Sequence, residues 1–228
     1  IDAFSRLRVS NPVTLFDHQA QFDAGLKDAW FHKITDGAFW KHNIDQACVD
    51  MHTSAVATNF CLQSEDISTT WTLTRATAST DTQRAPDSED TADTLAEDGT
   101  ASNTHFVTQS VTYTAARHTF SIFAKATANR NWVQLEIDDG TTQVSSYFNL
   151  STGAVGTQSN GTGAIESYGN GWYRCAVTTT SATAAAGGSV TVYIADADNS
   201  NSFNGGTQDS LYLWGGQVEA ATAVTAYI

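Results

Sequence analysis

Basic side chains are scarce in this chain of 228 residues, which holds 11 lysines and arginines against 24 aspartates and glutamates. The formal net charge of −13 at pH 7 makes the surface repel the phosphates of nucleic acids and of anionic membranes. The basic pair Arg6 and Arg8 is more typical of ion pairs with carboxylates than of phosphate contacts, and no basic stripe accompanies it. We therefore expect no nucleic-acid partner.

Cysteine is also sparse, and no hydrophobic run is long. The spacing of Cys48, Cys61 and Cys175 suits neither a zinc knuckle nor a redox pair nor a disulfide framework, and Cys175 lies in a strand-like run typical of a buried side chain. No apolar run approaches the roughly 18 residues of a membrane helix, so no membrane insertion is expected. The histidines form no metal motif, which argues against a zinc site.

Threonine, serine, alanine, glycine and aromatic residues dominate, a balance that favours strands. In Asn131–Asp138, Val133, Leu135 and Ile137 recur at every second position and share one side. Similar runs are His105–Tyr113, Thr119–Ala126, Val144–Leu150, Trp172–Thr179, Val190–Ile194 and Leu211–Val218. Turn signals rich in glycine and asparagine separate them. We predict an all-β fold, an antiparallel β-sandwich of jelly-roll type over residues 58–228.

Residues 1–57 differ in character, because their apolar residues are irregularly spaced and too few to fold alone. We predict that this N-terminal segment is an attachment and oligomerisation segment that packs against a neighbour. The residues predicted to make these contacts are Phe4, Arg6, Arg8, Leu15, Phe16, Trp30 and Trp40. The role of residues 24–56 is left open, and because the chain opens at Ile1 rather than methionine, further sequence is expected.

Several motifs of residues 58–228 occur in an order that resembles one known class of module. They are residues 59–71 (Asn-Phe-Cys-Leu-Gln-Ser-Glu-Asp-Ile-Ser-Thr-Thr-Trp), 85–87, 91–95, 120–125 (Phe-Ser-Ile-Phe-Ala-Lys), 170–175 (Asn-Gly-Trp-Tyr-Arg-Cys) and 211–219 (Leu-Tyr-Leu-Trp-Gly-Gly-Gln-Val-Glu). This order resembles the jelly-roll modules of tailed-bacteriophage structural and fibre proteins, which are similar to concanavalin-like and carbohydrate-binding sandwiches. Residues 1–23 are also similar to the start of phage virion proteins.

The resemblance implies a non-enzymatic virion structural protein exposed on the phage particle, as a fibre, decoration or tail-associated component. It implies other virion proteins as partners and a homo-oligomer, with a trimer favoured. An alternative is a host-glycan receptor-binding module for adsorption to a surface polysaccharide. The weakest hypothesis is a polysaccharide-degrading enzyme.

The predicted binding surface lies on the polar side of residues 131–138. There an aromatic plane stands beside hydrogen-bonding groups, the combination that sugar recognition needs. The residues of this predicted glycan site are Trp132, Gln134, Glu136 and Asp138, extended from the next strand by Tyr147 and Asn149. The alternative is that Trp132 only covers a loop or packs on the N-terminal segment.

Glu136-Ile137-Asp138 also occurs in some jelly-roll glycosidases, which need a second glutamate for a pair of carboxyl groups. Thr141 stands at that place here, so we predict no catalytic residues. Trp71, Trp172 and Trp214 are interpreted as core residues, and Arg174 as the partner of an acidic side chain.

No cofactor is required by this interpretation. A structural calcium ion is the one candidate, because related sandwiches often tie the two ends of the module through such an ion. Its oxygen ligands could be Glu65, Asp66 and Glu219. The run Asp196–Asn201 is a second oxygen-rich candidate, although a solvated acidic loop explains it equally.

Overall fold

A computed structural model describes residues 58–182, 187–207 and 209–228. The predicted attachment segment, with Phe4, Arg6, Arg8, Leu15, Phe16, Trp30 and Trp40, lies outside the described residues. The predicted domain boundary at residue 57 therefore stays a prediction. The described part contains no helix long and apolar enough to cross a membrane.

The described residues form β-strands joined by turns and loops. In chain order they are β1 (Thr72–Thr74), β2 (Ala76–Gln83), β3 (Ala92–Glu97), β4 (Asn103–Thr112), β5 (Thr119–Ala126), β6 (Trp132–Asp138), β7 (Gln143–Asn149), β8 (Ala154–Ser159), β9 (Gly161–Gly169), β10 (Trp172–Thr179), β11 (Gly187–Ala195), β12 (Ser202–Phe203) and β13 (Ser210–Glu219).

These strands build two antiparallel sheets. The first has the order β1-β4-β11-β6-β7-β8, with β12 paired to β4, and the second has the order β2-β3-β13-β5-β10-β9. Successive strands from β3 to β6 alternate between the sheets, as do β10, β11 and β13, which is the connectivity of a jelly roll. The predicted all-β sandwich is confirmed.

The core lies between the sheets and is built by the predicted alternation. Val133, Leu135 and Ile137 of β6 are fully buried, and so are Phe120 and Ile122 of β5 in the second sheet. Cys175 is also fully buried, as predicted. The polar residues of β6 consequently point away from the core, because neighbouring side chains of a strand face opposite ways.

A second apolar cluster covers the outer side of the second sheet. Phe123 pairs with Trp214 of β13, and Trp172 lies beside them on β10. Trp172 and Trp214 are buried, at 2% and 4% exposure, as is Trp71 in the main core. The prediction that these tryptophans are core residues is confirmed, although Trp172 and Trp214 belong to this outer cluster.

The prediction that Arg174 pairs with an acidic side chain is wrong. Its Nη1 donates to the carbonyl of Thr225 at 2.6 Å, and its Nη2 donates to Oγ of Ser121 at 3.1 Å. The guanidinium also lies over the ring of Phe123, 5.1 Å from its centroid. Position 174 faces the outer cluster, where the C-terminal residues supply a carbonyl in place of a carboxylate.

Candidate functional site

The six predicted glycan-site residues lie on one face of the first sheet. In the register of β6 and β7, Trp132 pairs with Asn149 and Gln134 pairs with Tyr147. Paired residues of antiparallel strands point to the same side, so the outward residues of both strands form a continuous surface. Together with Thr191 and Tyr193 of β11, these residues are called the first-sheet face below.

Several side chains of the first-sheet face are buried although they point away from the core. Gln134, Tyr147 and Thr191 are only 4%, 6% and 4% exposed. A loop between β11 and β12 explains part of this burial, because Asn201 Nδ2 donates to Gln134 Oε1 at 2.6 Å. The loop therefore holds the Gln134 amide in one orientation.

The same loop also binds β8. Asp198 accepts hydrogen bonds from the backbone N–H of Thr157 at 2.7 Å and from its hydroxyl at 3.1 Å. The run Asp196–Asn201, a calcium candidate in the sequence, thus forms a border of the first-sheet face through hydrogen bonds with protein groups.

Trp132 is the aromatic residue at this border, and it is half-buried. A side chain at Gly156 of β8 would collide with it, because a Cβ atom there would lie 2.8 Å from Cζ3 of Trp132 and in steric conflict with Asp198. Because Gly156 has no side chain, the indole and the Asp198 carboxylate can pack directly against the backbone of β8. The ring therefore packs against the backbone of β8.

Glu136 lies in the middle of the first-sheet face. Its Oε1 accepts a hydrogen bond from the hydroxyl of Tyr193 at 3.3 Å. Burial raises the pKa of the Glu136 carboxyl, the negative charge of Asp138 adds to the increase, and the Tyr193 hydrogen bond opposes it. The carboxylate therefore sits in a partly desolvated place.

The two tyrosines of the face stay protonated at neutral pH. Burial raises the pKa of Tyr147 to about 12, and the charges of Glu136 and Asp198 contribute. Burial also raises the pKa of Tyr193, again with Glu136 as the next cause. Both phenols can therefore donate a hydrogen bond at physiological pH.

Two of the predicted residues are partly used by local turns. Asp138 Oδ1 accepts from the N–H of Gly140 at 2.8 Å. Asn149 Oδ1 accepts from the N–H groups of Ser151 and Thr152, at 2.9 and 3.1 Å. These oxygens stabilise the ends of β6 and β7, and the second carboxylate oxygen of Asp138 accepts a longer hydrogen bond from Nε2 of Gln143 at 3.4 Å.

Sequence reasoning missed the residues that other parts of the chain bring to the face. Thr191 and Tyr193 pair with Glu136 and Gln134 across β11 and β6, and the ring of Phe106 lies 5.0 Å from that of Tyr193. The alternation of β11 predicts that Tyr193 points away from the core. No local pattern indicates that β11 lies next to β6.

The three residues of the calcium hypothesis are placed in separate hydrogen-bonding arrangements. Glu65 accepts from the hydroxyl of Tyr227 at 3.0 Å, and Asp66 accepts from the hydroxyls of Ser68 and Thr69, both at 2.6 Å. The buried Glu219 accepts from the N–H and hydroxyl of Thr225, at 2.9 and 2.7 Å. Within the described ranges, no group of three or more His, Cys, Asp or Glu side chains is arranged to hold a metal ion. The calcium site stays a prediction.

The chain matches no protein-family profile and no curated protein. Among solved structures, TmCBM61 in complex with β-1,4-galactotriose has 10% identity and a TM-score of 0.42, over 72% of this chain and 99% of the other. The mannan-recognising carbohydrate-binding module TmCBM27 has 9% identity and a TM-score of 0.37, over 74% and 97%. The enzymatically active domain of tailspike protein 4 from bacteriophage CBA120 has 15% identity and a TM-score of 0.42, over 70% of this chain and 21% of the other. The structural neighbours thus include carbohydrate-binding modules and one phage tailspike domain.

Proposed function

We propose that residues 58–228 are a non-catalytic glycan-binding module and that the first-sheet face is its binding surface. The observation that carries the proposal is the indole of Trp132, packed against the backbone of β8, on the same face as polar side chains from three neighbouring strands. A sugar ring has apolar C–H faces that stack on aromatic rings, and its hydroxyls both donate and accept hydrogen bonds.

Hydrogen-bonding groups on the face support the proposal. The Nε2 of Gln134 and the hydroxyl of Tyr147 make no hydrogen bond to any residue of the described ranges. Glu136 uses Oε1 for Tyr193, which leaves Oε2 as an acceptor. The face therefore offers both donors and acceptors around one aromatic platform, as orientation-specific sites do.

The test compares the parent chain with one tryptophan-to-alanine variant and one tyrosine-to-alanine control, on a glycan array and by isothermal titration calorimetry. Trp132→Ala removes the platform, and we expect a loss of about 2 kcal/mol of binding free energy, or roughly 30-fold in affinity. Tyr168→Ala is the control, because Tyr168 is 45% exposed on β9 of the second sheet. It should bind as the parent chain does.

Both variants should still unfold cooperatively at a temperature above that of the titration, which separates loss of binding from loss of folding. The proposal is wrong if the parent chain binds no glycan at millimolar concentration, or if Trp132→Ala binds as tightly as the parent. The same samples should release no reducing ends, since Thr141, at the place of a second catalytic glutamate, lies in the turn after β6, where its N–H donates to Asp139.

We further propose that residues 1–57 attach the module to a tailed-phage particle, as a fibre, decoration or tail-associated component. The support is the motif order of residues 58–228 and the start of residues 1–23, both of which resemble phage virion proteins. Host adsorption through surface polysaccharide would then be the use of the first-sheet face.

Cryo-electron microscopy of the intact particle tests this second proposal. We expect a homo-oligomer, with a trimer favoured, in which residues 1–57 contact other virion proteins and the first-sheet face points outward. Absence of the chain from purified particles, or a first-sheet face buried against the particle, would contradict it.

A further inference from the structure

The outward positions of the four central strands of the first sheet carry acidic but no basic side chains. The acidic ones are Glu136 and Asp138 on β6, with Asp198 at the border loop. The other outward residues of these described strands are all neutral. The face therefore has a negative charge and no cation of its own.

Two arginines adjacent in sequence to strands of the first sheet form hydrogen bonds with protein groups. Arg75, which follows β1, donates to the carbonyl of Thr104 at 2.6 Å and to its hydroxyl at 2.9 Å. Arg130, two residues before Trp132, makes a two-point contact with the buried Glu97, at 2.8 and 2.6 Å. These guanidinium groups are already committed to protein partners.

From this charge distribution we infer that the ligand of the first-sheet face is an uncharged glycan, free of carboxylate and sulfate groups. The inference rests on the proposed function and names its substrate class. Recognition of a carboxylate or sulfate normally requires an arginine, a lysine or several N–H donors. Here the ligand's charge would approach Glu136 and Asp138 instead, and partial burial of Glu136 reduces the screening of that repulsion.

Neutral sugar hydroxyls can bond to the same groups without this electrostatic repulsion. A hydroxyl can donate to the free oxygen of Glu136 and accept from the Tyr147 hydroxyl or from Nε2 of Gln134. The carboxylates thus select for hydroxyl donors and against anions at the same positions.

The experiment begins with the full chain on an array of neutral and acidic glycans. The tightest neutral binder is then oxidised at its primary hydroxyls, which converts it into a carboxylate-bearing counterpart with the same linkages. By titration calorimetry at low salt, we expect the oxidised glycan to bind at least about tenfold more weakly, and the difference to shrink as salt is raised.

A charge-neutralised variant shows whether the oxidised glycan binds more weakly because of electrostatic repulsion or because it has lost a hydroxyl. The double change Glu136→Gln and Asp138→Asn should recover binding of the oxidised glycan by several-fold. Glu166→Gln, on an exposed position of β9 in the second sheet, removes a charge elsewhere and should change nothing. A discrimination that is equal in all three proteins and independent of salt overturns the inference.

The array separates this inference from the proposed function. A best binder that is acidic, and that loses affinity when its carboxyls are reduced to hydroxyls, overturns the uncharged-ligand inference and leaves glycan binding intact. Failure of the chain to bind any neutral or acidic glycan overturns both.

Discussion

At the residue scale, Glu136 shows the cost of placing a carboxylate among aromatic rings. Its pKa is raised above the ordinary value of 4.5, mainly by burial, so the charged form is less favourable in the folded chain than in the unfolded one. The unfolded chain therefore loses this proton at lower pH than the folded chain does. The contribution of Glu136 to stability is present below its unfolded pKa and is lost as pH rises through its folded pKa.

Glu136→Gln should therefore raise the free energy of unfolding at pH 7 relative to the parent, and the gain should vanish near pH 3. The amide keeps an acceptor for the Tyr193 hydroxyl and removes the charge. Urea unfolding followed by tryptophan fluorescence across this pH range measures the difference. A difference from the parent that stays the same at every pH would count against the explanation.

Asp66→Asn is a control for which the expected change in stability at pH 7 has the opposite sign. Hydrogen bonds from the hydroxyls of Ser68 and Thr69 lower the pKa of Asp66 below its ordinary value of 3.8. Its contribution is present above that unfolded pKa and is lost as pH falls through the folded pKa. The variant should therefore be less stable than the parent at pH 7 and approach it in acid.

At the element scale, β11 is the strand that joins the two halves of the first sheet, because it pairs with β4 on one side and with β6 on the other. Its first residues approach β6 closely. A Cβ atom at Gly188 would collide with the carbonyl oxygen of Asp138 and would lie 2.9 Å from Cε2 of Tyr113. The same atom at the neighbouring Gly187 would meet nothing within 4 Å.

Gly188→Ala should therefore destabilise the fold by roughly 1–3 kcal/mol, since backbone atoms of the partner strand cannot move aside without loss of pairing. Gly187→Ala should be close to neutral, because a methyl group there has space. Chemical unfolding midpoints of the two variants provide the comparison. Equal destabilisation by both changes would show that the contact with β6 is not the cause.

At the scale of the whole molecule, both ends of the described chain lie against the second sheet. The N–H of Phe60 donates to the carbonyl of Val218 in β13 at 2.8 Å, and Asn59 Nδ2 donates to the carbonyl of Gly216 at 2.9 Å. At the other end, Tyr227 contacts Trp214 and donates to Glu65. The chain thus enters and leaves the sandwich beside β13, and the first-sheet face lies on the other sheet.

Hydrogen bonds of the C-terminal residues lie beside the outer cluster of the second sheet. Thr225 accepts from Arg174 through its carbonyl and donates to Glu219 through its N–H. It therefore links a buried cation to a buried anion that do not pair directly. The C-terminal residues therefore cover Trp214 and Phe123 while bonding to both charged groups, although the buried Nε of Arg174 has no hydrogen-bond partner in the described part of the chain.

The sequence by itself determined the parts of this protein that depend on local pattern. Alternation in β6 separates Val133, Leu135 and Ile137 from the polar residues, and the Asp139-Gly140 turn makes β7 its neighbour. The six residues of the first-sheet face that lie on β6 and β7 follow from that hairpin, since strands joined by a short turn pair with each other.

Only the tertiary structure decided which residues from other strands and loops join these six. Tyr193 and Asp198 reach the face because β11 pairs with β6 and the following loop bonds to β8, and both contacts join residues distant in the chain. The same reason explains Arg174, whose partner Thr225 comes from the C-terminal end. Local alternation fixes the side of a sheet on which a residue lies, whereas pairing of distant strands depends on the burial of the whole sandwich, and no short segment of sequence encodes it.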